Sequence, residues 1–257
     1  MSGYVSVIKG DCLEVLRTLA DGSVDMVCTD PPFNISQSGV SLDRSQFKNK
    51  KMNRKAKVTL DYGEWDRKER SDFIDFTREW YGECARVLRD GGAFVSFFSK
   101  QDISLLAWIG EEYGIRFRTF FSWVKTNPMP SIYRRNYLSA VETAFIGSKG
   151  DKGWVFNFTT QQEMHNVYTT PNKSVYGETE HPCEKPLNLM RHFIKVHTNE
   201  GMTVLDPFMG SGTTGVAAVG LGRDFIGIEA DEKWYSVACR RIEAEREKPR
   251  QLELGLT

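Results

Sequence analysis

The chain has 257 residues, and its 34 basic and 34 acidic side chains give a formal net charge of zero. The length and the hydrophobic content of 40% favour a single α/β domain over residues 1–257, with insertions. No run of about eighteen apolar residues predicts a membrane helix, and the first residues lack the apolar core of a signal peptide. Five scattered cysteines without a CxxC pair are typical of reduced thiols in a cytosol.

The N-terminal region shows a strand, helix and strand pattern. Alternating residues in YVSVIKGD predict a strand, and Asp11 with Glu14 predicts the cap of a helix over LEVLRTLA. The more continuously apolar VDMVCTD, residues 24–30, predicts a buried strand of a parallel sheet. Asp30 therefore stands at the end of that strand, directly before two prolines and an aromatic ring.

Residues 34–66 are polar and have no sustained hydrophobic period. The stretch from Arg44 to Lys57 contains seven basic residues and no acidic one. We interpret 34–66 as a mobile basic loop. Because the whole chain is neutral, any charge that attracts nucleic acid has to be local in this way.

The middle of the chain alternates again between helices and strands. A helix over about residues 70–89 is predicted by five apolar residues on one face: Phe73, Phe76, Trp80, Cys84 and Val87. Gly91-Gly92 is expected to end it before the buried strand AFVSFF. Ser99 with Asp102 predicts the cap of a further helix that ends near Tyr113. IRFRTFFSWVK and VETAFIGSK alternate like strands, and the proline-rich NPMPSIYRRNY between them predicts a loop.

The last hundred residues begin with a loop-rich, aromatic segment, 150–184. A helix is predicted from Pro186, a favoured first position. It is followed by the strand MTVLDPF, a glycine turn that leads into an Ala/Val-rich helix, the strand RDFIGIEAD and a charged terminal helix. Because strands and helices alternate throughout, the expected fold class is α/β.

The glycine turn DPFMGSGTT has the position of a ligand-binding turn between a strand and a helix. Glu229 follows Gly210 by nineteen residues, where nucleotide-binding units hold a ribose. The turn is not GxGxxG, and the preceding Asp206 suits a ligand with an ammonium group better than a pyrophosphate. S-adenosylmethionine has an amine and a ribose. Lys185, at the positive end of a helix, predicts a nearby anion, either Glu184 or a cofactor carboxylate.

GDCLEVL, DPPF, HPCEKP and DPFMGSGTT, in that order, resemble the motifs of the S-adenosylmethionine-dependent DNA amino-methyltransferases. The catalytic motif precedes the cofactor motif, as in the permuted beta group of adenine-N6 and cytosine-N4 enzymes. SWVKTNP and the segment from RRNY to VETAFIGSKG resemble its intermediate motifs, so the resemblance covers nearly the whole chain. Departures are Phe33 in place of the more frequent tyrosine, and Cys183-Glu184 inside HPxxKP. The resemblance implies a Rossmann-like methyltransferase fold with a mostly parallel sheet, helices on both faces and a circularly permuted motif order.

The resemblance also implies a role for individual residues. A catalytic pocket would be formed by Asp30, Pro31, Pro32 and Phe33, which would receive a flipped base. S-adenosylmethionine would be bound by residues from several motifs: Asp11, Cys12, Asp30, Lys185, Asp206, Pro207, Phe208, Gly210, Ser211, Gly212, Thr213, Glu229 and Ala230. Neither a metal nor a covalent intermediate is expected.

Double-stranded DNA is the expected partner, with a homodimer as an option and no membrane association. Candidate phosphate contacts are the basic residues of two loops: Arg44, Lys48, Lys50, Lys51, Arg54, Arg134 and Arg135. The segment 150–184 lies where the target-recognition region of the family would fall. The expected localisation is the cytoplasm of a prokaryote, with a phage-encoded origin as an option.

Several other functions share part of this pattern with adenine-N6 methylation. A cytosine-N4 enzyme would share nearly every motif, but its catalytic motif more often begins with serine, so Asp30 favours adenine. A cytosine-C5 enzyme needs a nucleophilic cysteine, and Cys183 lies inside HPCEKP instead. Protein glutamine methyltransferases carry a related NPPY with the cofactor motif first. An NAD-dependent oxidoreductase should show GxGxxG, and a silent DNA-binding module should lack the acceptor Asp30.

Overall fold

The computed structural model describes residues 3–34, 41–43, 57–59, 69–128, 137–171 and 184–248. The strands are β1 Val5–Lys9, β2 Val24–Thr29, β3 Ser41–Asp43, β4 Lys57–Thr59, β5 Leu88–Phe98, β6 Ile115–Lys125, β7 Val141–Lys149, β8 Val167–Thr170, β9 Thr203–Asp206 and β10 Asp224–Glu229. The helices are α1 Cys12–Leu16, α2 Arg70–Val87, α3 Ile103–Glu112, α4 Leu187–His197, α5 Thr213–Gly220 and α6 Glu232–Arg246. The alternation of strands and helices confirms the predicted α/β class.

Eight strands form one sheet in the order β1-β10-β9-β2-β5-β7-β6-β8. The first five run parallel to one another, whereas β7 is antiparallel to both β5 and β6. The late strand β9 lies between β10 and the early strand β2, with Val27 paired to Leu205. This order confirms the permuted, mostly parallel sheet, because it brings the end of the early motif beside the end of the late one.

Helices cover both faces of the sheet, as predicted. One apolar cluster joins β2 and β5 to α1, α2 and α3 through residues such as Leu16, Trp80 and Leu106. The opposite cluster joins the sheet to α4, α5 and α6 through residues such as Phe193 and Ile242. Strands buried on both faces need no alternation of apolar and polar residues, which explains the continuous apolar run in β2. None of the described helices has the length and apolar character that a membrane crossing requires.

The junction between α2 and β5 differs from the prediction. The helix ends at Val87 and the strand begins at Leu88, so Gly91-Gly92 does not terminate the helix. Gly91 has a φ of +75°, and a Cβ there would lie 2.2 Å from the carbonyl oxygen of Lys152. The glycine is therefore needed inside the strand, where the backbone of another loop approaches too closely for a side chain.

The prediction that the Asp102 side chain caps α3 is wrong. Asp102 occupies the cap position but its side chain accepts no capping hydrogen bond. Its carboxylate instead lies 2.5 Å from the guanidinium of Arg70, at the start of α2. Ser99 Oγ accepts from the backbone N–H of Gln101 at 3.3 Å. The ion pair takes the carboxylate away from the helix start.

Two segments predicted as loops contain strands. The short antiparallel pair β3 and β4 lies inside 34–66, most of which is outside the described residues. Within 150–184, β8 adds to the sheet edge in parallel with β6, and its Tyr168 pairs with Trp123. Strands of three or four residues are too short for their periodicity to be recognised in a sequence. The mobility of 34–66 and the single-domain organisation stay predictions.

Candidate active site

The carboxyl ends of β2 and β9 meet at one edge of the sheet. Thr29, the last residue of β2, donates from Oγ1 to Asp206 Oδ1 at 2.7 Å, so the two motifs touch directly. Asp30 follows Thr29 and Asp206 is the last residue of β9. In open α/β sheets, ligands bind outside the carboxyl ends of the strands. The structure therefore brings the predicted catalytic and cofactor motifs together from opposite ends of the chain.

Asp206 is bound on both carboxylate oxygens by groups of the protein. Thr214 Oγ1 donates to Oδ2 at 2.6 Å, and the backbone N–H of Phe208 donates to Oδ1 at 3.1 Å, beside Thr29. The residue is 3% exposed. Burial raises the pKa of Asp206 to about 6, against the lowering effect of these hydrogen bonds. The carboxylate thus ties the glycine turn and α5 to β2, a role that the sequence did not reveal.

Asp30 is held from one side only. Its Oδ2 forms an ion pair with Lys185 Nζ. Its Oδ1 is buried and has no hydrogen-bond partner among the described residues. Burial raises the pKa of Asp30, and the ammonium of Lys185 partly opposes that rise. An unpaired carboxylate oxygen is costly in the interior, so this site calls for a donor that the described residues do not supply.

The pyrrolidine rings and the aromatic ring of DPPF follow Asp30. Pro31 is buried, whereas Pro32 and Phe33 are half-buried. The Phe33 ring meets Phe98 edge-on at 6.1 Å between centroids. Asn34 has a φ of 54°, in the left-handed region that few residues other than glycine adopt. The half-buried Phe33 ring thus lies directly after the acceptor Asp30, and its stacking role stays a prediction.

Lys185 lies just before α4, which begins at Leu187 with Pro186 as its cap residue. Its side chain is 8% exposed, and its Nζ lies 3.2 Å from Glu142 Oε2 in addition to its contact with Asp30. The predicted anions beside Lys185 are therefore Asp30, which directly follows β2, and Glu142 on β7. Glu142 also pairs with Lys125. Sequence reasoning missed Glu142 and Lys125, although an acidic residue near the start of the predicted strand VETAFIGSK was a signal.

Glu184, the alternative partner considered for Lys185, is bound elsewhere. Its carboxylate is 2.7 Å from the guanidinium of Arg241 on α6. Arg241 also donates to the carbonyl oxygen of Ser211 at 2.7 Å and to Thr213 Oγ1 at 3.4 Å. Both side chains are largely buried, so water competes little with the ion pair between Glu184 and Arg241. Arg241, which the sequence analysis missed, therefore fastens the segment before α4 to the glycine turn.

The glycine turn has the backbone geometry that its sequence predicts. Gly212 has a φ of +83°, and a Cβ there would lie 2.8 Å from the Cβ of Ala238. The N–H of Gly210 donates to Glu229 Oε2 at 2.9 Å, and the N–H of Asp231 donates to Oε1 at 2.8 Å. Glu229 is part exposed, and burial raises its pKa. It holds the turn, and each oxygen keeps a second lone pair for a ligand.

The N-terminal motif lies next to Glu229. The N–H of Gly10 donates to the carbonyl oxygen of Glu229 at 3.1 Å, because β1 pairs with β10. Asp11 caps α1, as predicted, by accepting from the N–H groups of Leu13 and Glu14 at 2.9 and 3.2 Å. Cys12 is buried. The capping role confirms the helix start and leaves the cofactor role of Asp11 a prediction.

The other predicted cofactor residues lie in or near the glycine turn, whereas the predicted DNA contacts do not belong to the described residues. Pro207, Phe208 and Ser211 belong to the turn, with Phe208 packed edge-on against Trp80 at 5.5 Å, and Ala230 is exposed after β10. The predicted DNA contacts all fall outside the described residues: Arg44, Lys48, Lys50, Lys51, Arg54, Arg134 and Arg135. No cluster of three or more metal-binding side chains occurs in the described ranges.

The groups at this edge of the sheet fit S-adenosylmethionine. Glu229 offers a half-exposed carboxylate with spare lone pairs to ribose hydroxyls. The orphaned Oδ1 of Asp30 and the closely packed glycine turn lie along the same edge, at the ends of neighbouring strands. A ligand that combines a ribose and an amine matches acceptors that are already in place.

Comparisons with known proteins identify the family. The DNA methylase family of N6 and N4 enzymes matches residues 24–240. The Type II methyltransferase M2.DpnII of Streptococcus pneumoniae is 32% identical over 94% of this chain and 90% of its own length. The crystal structure of the M1.HpyAVI–SAM complex is 31% identical, with a TM-score of 0.71, over 93% of this chain and 98% of that one.

A cytosine enzyme shares the fold. The cytosine-N4-specific PvuII DNA methyltransferase, at 21% identity, superimposes with a TM-score of 0.71 over 94% of this chain and 87% of its own. Its likeness concerns the fold alone. The family match and the two relatives above 30% identity decide the classification. The chain belongs to the N6/N4 DNA methylase family, and is an S-adenosylmethionine-dependent DNA amino-methyltransferase.

Proposed function

We propose that this protein transfers a methyl group from S-adenosylmethionine to the N6 amino group of an adenine flipped out of a specific DNA site. The observation that carries the proposal is the Asp30 carboxylate, with Oδ2 on Lys185 and Oδ1 buried without a donor from the described residues. An exocyclic amino group offers N–H donors of the kind that this oxygen lacks.

The chemistry requires acceptors because the lone pair of an exocyclic amine is delocalised into the ring. Asp30 accepts one hydrogen of the amino group and the carbonyl of Pro31 accepts the other, which turns the nitrogen towards the methyl donor. Proline has a fixed φ and no competing N–H at these positions. When bound, S-adenosylmethionine supplies an electrophilic methyl group on a sulfonium centre. Positioning and charge stabilisation by the pocket then supply most of the rate.

Asp30 also suits the fate of the proton. The methylated nitrogen has one proton in excess once its new bond to carbon has formed. Burial raises the pKa of Asp30, so its carboxylate accepts a proton more readily than an exposed aspartate does. Phe33, half-buried beside it, offers a face on which the flipped base stacks.

The cofactor roles follow the order of the strands. Asp206 and the turn residues Pro207, Phe208, Gly210, Ser211, Gly212 and Thr213 surround the methionine part. Glu229 and Ala230 hold the ribose. Asp11 and Cys12 lie on the adenine side, and Lys185 binds near the carboxylate. The half-exposed Glu229 and its neighbour β1 support the placement of ribose and adenine at the β1–β10 end of the sheet.

DNA contacts and recognition belong to the same proposal. The basic residues of 44–54 together with Arg134 and Arg135 contact phosphates, and the segment 150–184 reads the target. Methylation of cytosine N4 is the alternative, because the same acceptors serve either amino group. The aspartate at the start of DPPF favours adenine over cytosine.

Nucleoside analysis tests the proposal. Unmethylated DNA is incubated with the protein and labelled S-adenosylmethionine, digested, and the labelled nucleoside is identified. N6-methyladenine supports the proposal, and N4-methylcytosine supports the alternative. Absence of transfer to any DNA, with the cofactor bound, contradicts both. Asp30→Ala is expected to abolish transfer while binding of S-adenosylmethionine survives, and normal turnover of that variant contradicts the assignment of the acceptor.

A further inference from the structure

Four charged side chains of alternating sign form a continuous series at the edge of the sheet. Lys125 at the end of β6 pairs with Glu142 near the start of β7. Glu142 Oε2 lies 3.2 Å from Lys185 Nζ, which in turn pairs with Asp30 after β2. We call Lys125, Glu142, Lys185 and Asp30 the charge series. It connects the antiparallel part of the sheet to the parallel part across the end of β5.

The charge series is shielded from water. The exposed fraction is 11% for the Lys125 side chain, 25% for Glu142, 8% for Lys185 and 22% for Asp30. Charges in such surroundings interact more strongly than charges at a surface, because the effective dielectric constant is lower. The two positive and two negative charges cancel, so removal of one member leaves an unbalanced charge among the other three.

Lys185 has little freedom to move within this series. Its Nζ lies 4.9 Å from the ring centroid of Phe97 and 5.6 Å from that of Phe33. These rings and the two carboxylates surround the ammonium from several directions. The position of the ammonium between Asp30 and Glu142 therefore depends on both carboxylates being charged.

We propose that Glu142 is a positioning residue for methyl transfer, because it shares the Lys185 ammonium with Asp30 and so preserves the strength of Asp30 as an acceptor. Lys185 then orients the Asp30 carboxylate through Oδ2 without neutralising it. The inference rests on the proposed function, since it assigns the purpose of the series to the acceptor Asp30.

The electrostatic effect of Glu142 on Asp30 has a definite sign. Burial raises the pKa of Asp30 and the Glu142 charge raises it further, whereas Lys185 and Lys125 lower it. The remaining ionisable groups that influence this end of the sheet are Asp206, on β9, and the buried Cys28 thiol, on β2. Without the Glu142 charge, Lys185 acts on Asp30 alone and lowers its pKa. Asp30 then ionises at lower pH but accepts hydrogen bonds and protons less strongly.

Glu142→Gln is the test, since it removes the charge and keeps the size of the side chain. We expect kcat to fall by about tenfold or more, because the Asp30 carboxylate becomes a weaker acceptor and changes its position. The Kd for S-adenosylmethionine and the KM for DNA should stay within about threefold, since binding contacts are unchanged. The acid limb of the kcat–pH profile should move to lower pH, an effect that mere loosening of the structure would not produce.

Two further variants serve as controls. Glu112→Gln removes an acidic charge from α3, where Glu112 is 49% exposed and pairs with Arg78, and it should leave kcat and the pH profile unchanged. Glu142→Asp keeps the charge, and it should recover the wild-type position of the acid limb and part of the kcat. Wild-type kcat in Glu142→Gln, or a lower kcat without a shifted limb, would overturn the inference.

The outcome is separable from that of the proposed function. The nucleoside product and the effect of Asp30→Ala are measured on the same protein preparations. If Asp30→Ala is inactive while Glu142→Gln is normal, only the role of Glu142 fails. If Asp30→Ala keeps its turnover, the acceptor assignment itself fails, whatever Glu142→Gln does.

Discussion

Asp30 and Asp206 occupy equivalent places and have opposite surroundings. Each stands at the carboxyl end of a central parallel strand, and each is followed by proline and, soon after, phenylalanine. Asp206 accepts three hydrogen bonds from its own chain. Asp30 has one lysine partner, and within the described part of the chain its second carboxylate oxygen has no donor. The difference teaches that the same short motif builds the scaffold on one strand and keeps an acceptor available on the next.

The buried Oδ1 of Asp30, which accepts no hydrogen bond from the described residues, lowers the stability of the fold. A buried carboxylate oxygen without a donor destabilises the protein, whereas a ligand that supplies the donor recovers the energy. Unsatisfied groups in native proteins concentrate at functional sites for this reason. Asp206, fully bound, should therefore matter for stability, and Asp30 for activity.

The largest effect is expected from Asp30→Asn. The amide oxygen should turn to the Lys185 ammonium, which places the NH2 group where the target amine needs an acceptor. We expect single-turnover methylation to fall by about a thousandfold, while the free energy of unfolding falls less than in Asp206→Ala, because the amide oxygen still accepts from Lys185. Asp21→Asn removes a surface carboxylate that is 79% exposed and should leave the rate unchanged. A rate within tenfold of wild type contradicts the role of Asp30 as acceptor.

Asp206→Ala should destabilise the protein more than Asp30→Asn does. Removal of its carboxylate leaves the buried hydroxyls of Thr29 and Thr214 and the N–H of Phe208 without their acceptor. We expect a loss of about 3 kcal/mol in the free energy of unfolding, measured by urea denaturation. A stability equal to that of wild type would show that the hydrogen-bonded carboxylate does not hold the strands together, and would erase the contrast with Asp30.

Thr29→Val tests the direct link between the two motifs at a smaller scale. Valine keeps the shape of threonine but removes the donor to Asp206, a charged acceptor. We expect a loss of about 2 kcal/mol in the free energy of unfolding. Thr18→Val is the control, because Thr18 is exposed and bonds only locally, to the carbonyl of Val15 at 2.7 Å. Equal effects of the two substitutions would deny any special role to the Thr29 contact.

The smallest expected effect concerns pH. Because the folded state raises the pKa of Asp206 from 3.8 to about 6, folded protein binds this proton more readily than unfolded protein. Its contribution to stability therefore increases as the pH falls from about 6 to about 4. The free energy of unfolding of wild type minus that of Asp206→Asn should rise by about 1 kcal/mol between pH 7 and pH 5.

The comparison with Asp206→Asn is necessary because His197 acts in the opposite sense. Burial lowers the pKa of His197 from 6.5 to about 4, so its contribution is lost as the pH falls through the same interval. That contribution is common to both proteins and cancels in the difference. A difference that is flat with pH, measured by urea denaturation at each pH, contradicts the raised pKa of Asp206.

Local sequence signals accounted for most of the elements. The apolar face of α2, the cap of α1 by Asp11 and the glycine turn before α5 follow from interactions within a few residues, and the structure has them all. The errors arose where a distant group competed. Arg70 takes the carboxylate of Asp102 from α3, and the loop at Lys152 requires Gly91 inside a strand.

The sequence by itself determined the α/β class, the permuted order of its motifs and the family, because periodicity, turns and motif spacing are properties of the chain. It also placed Asp30 and Asp206 at strand ends. Only the tertiary structure decided that both carboxylate oxygens of Asp206 accept hydrogen bonds, whereas Asp30 pairs with Lys185 alone among the described residues. It also decided that Lys185 pairs with Glu142. These contacts join residues more than a hundred positions apart in several cases, and their partners depend on the strand order of the folded sheet.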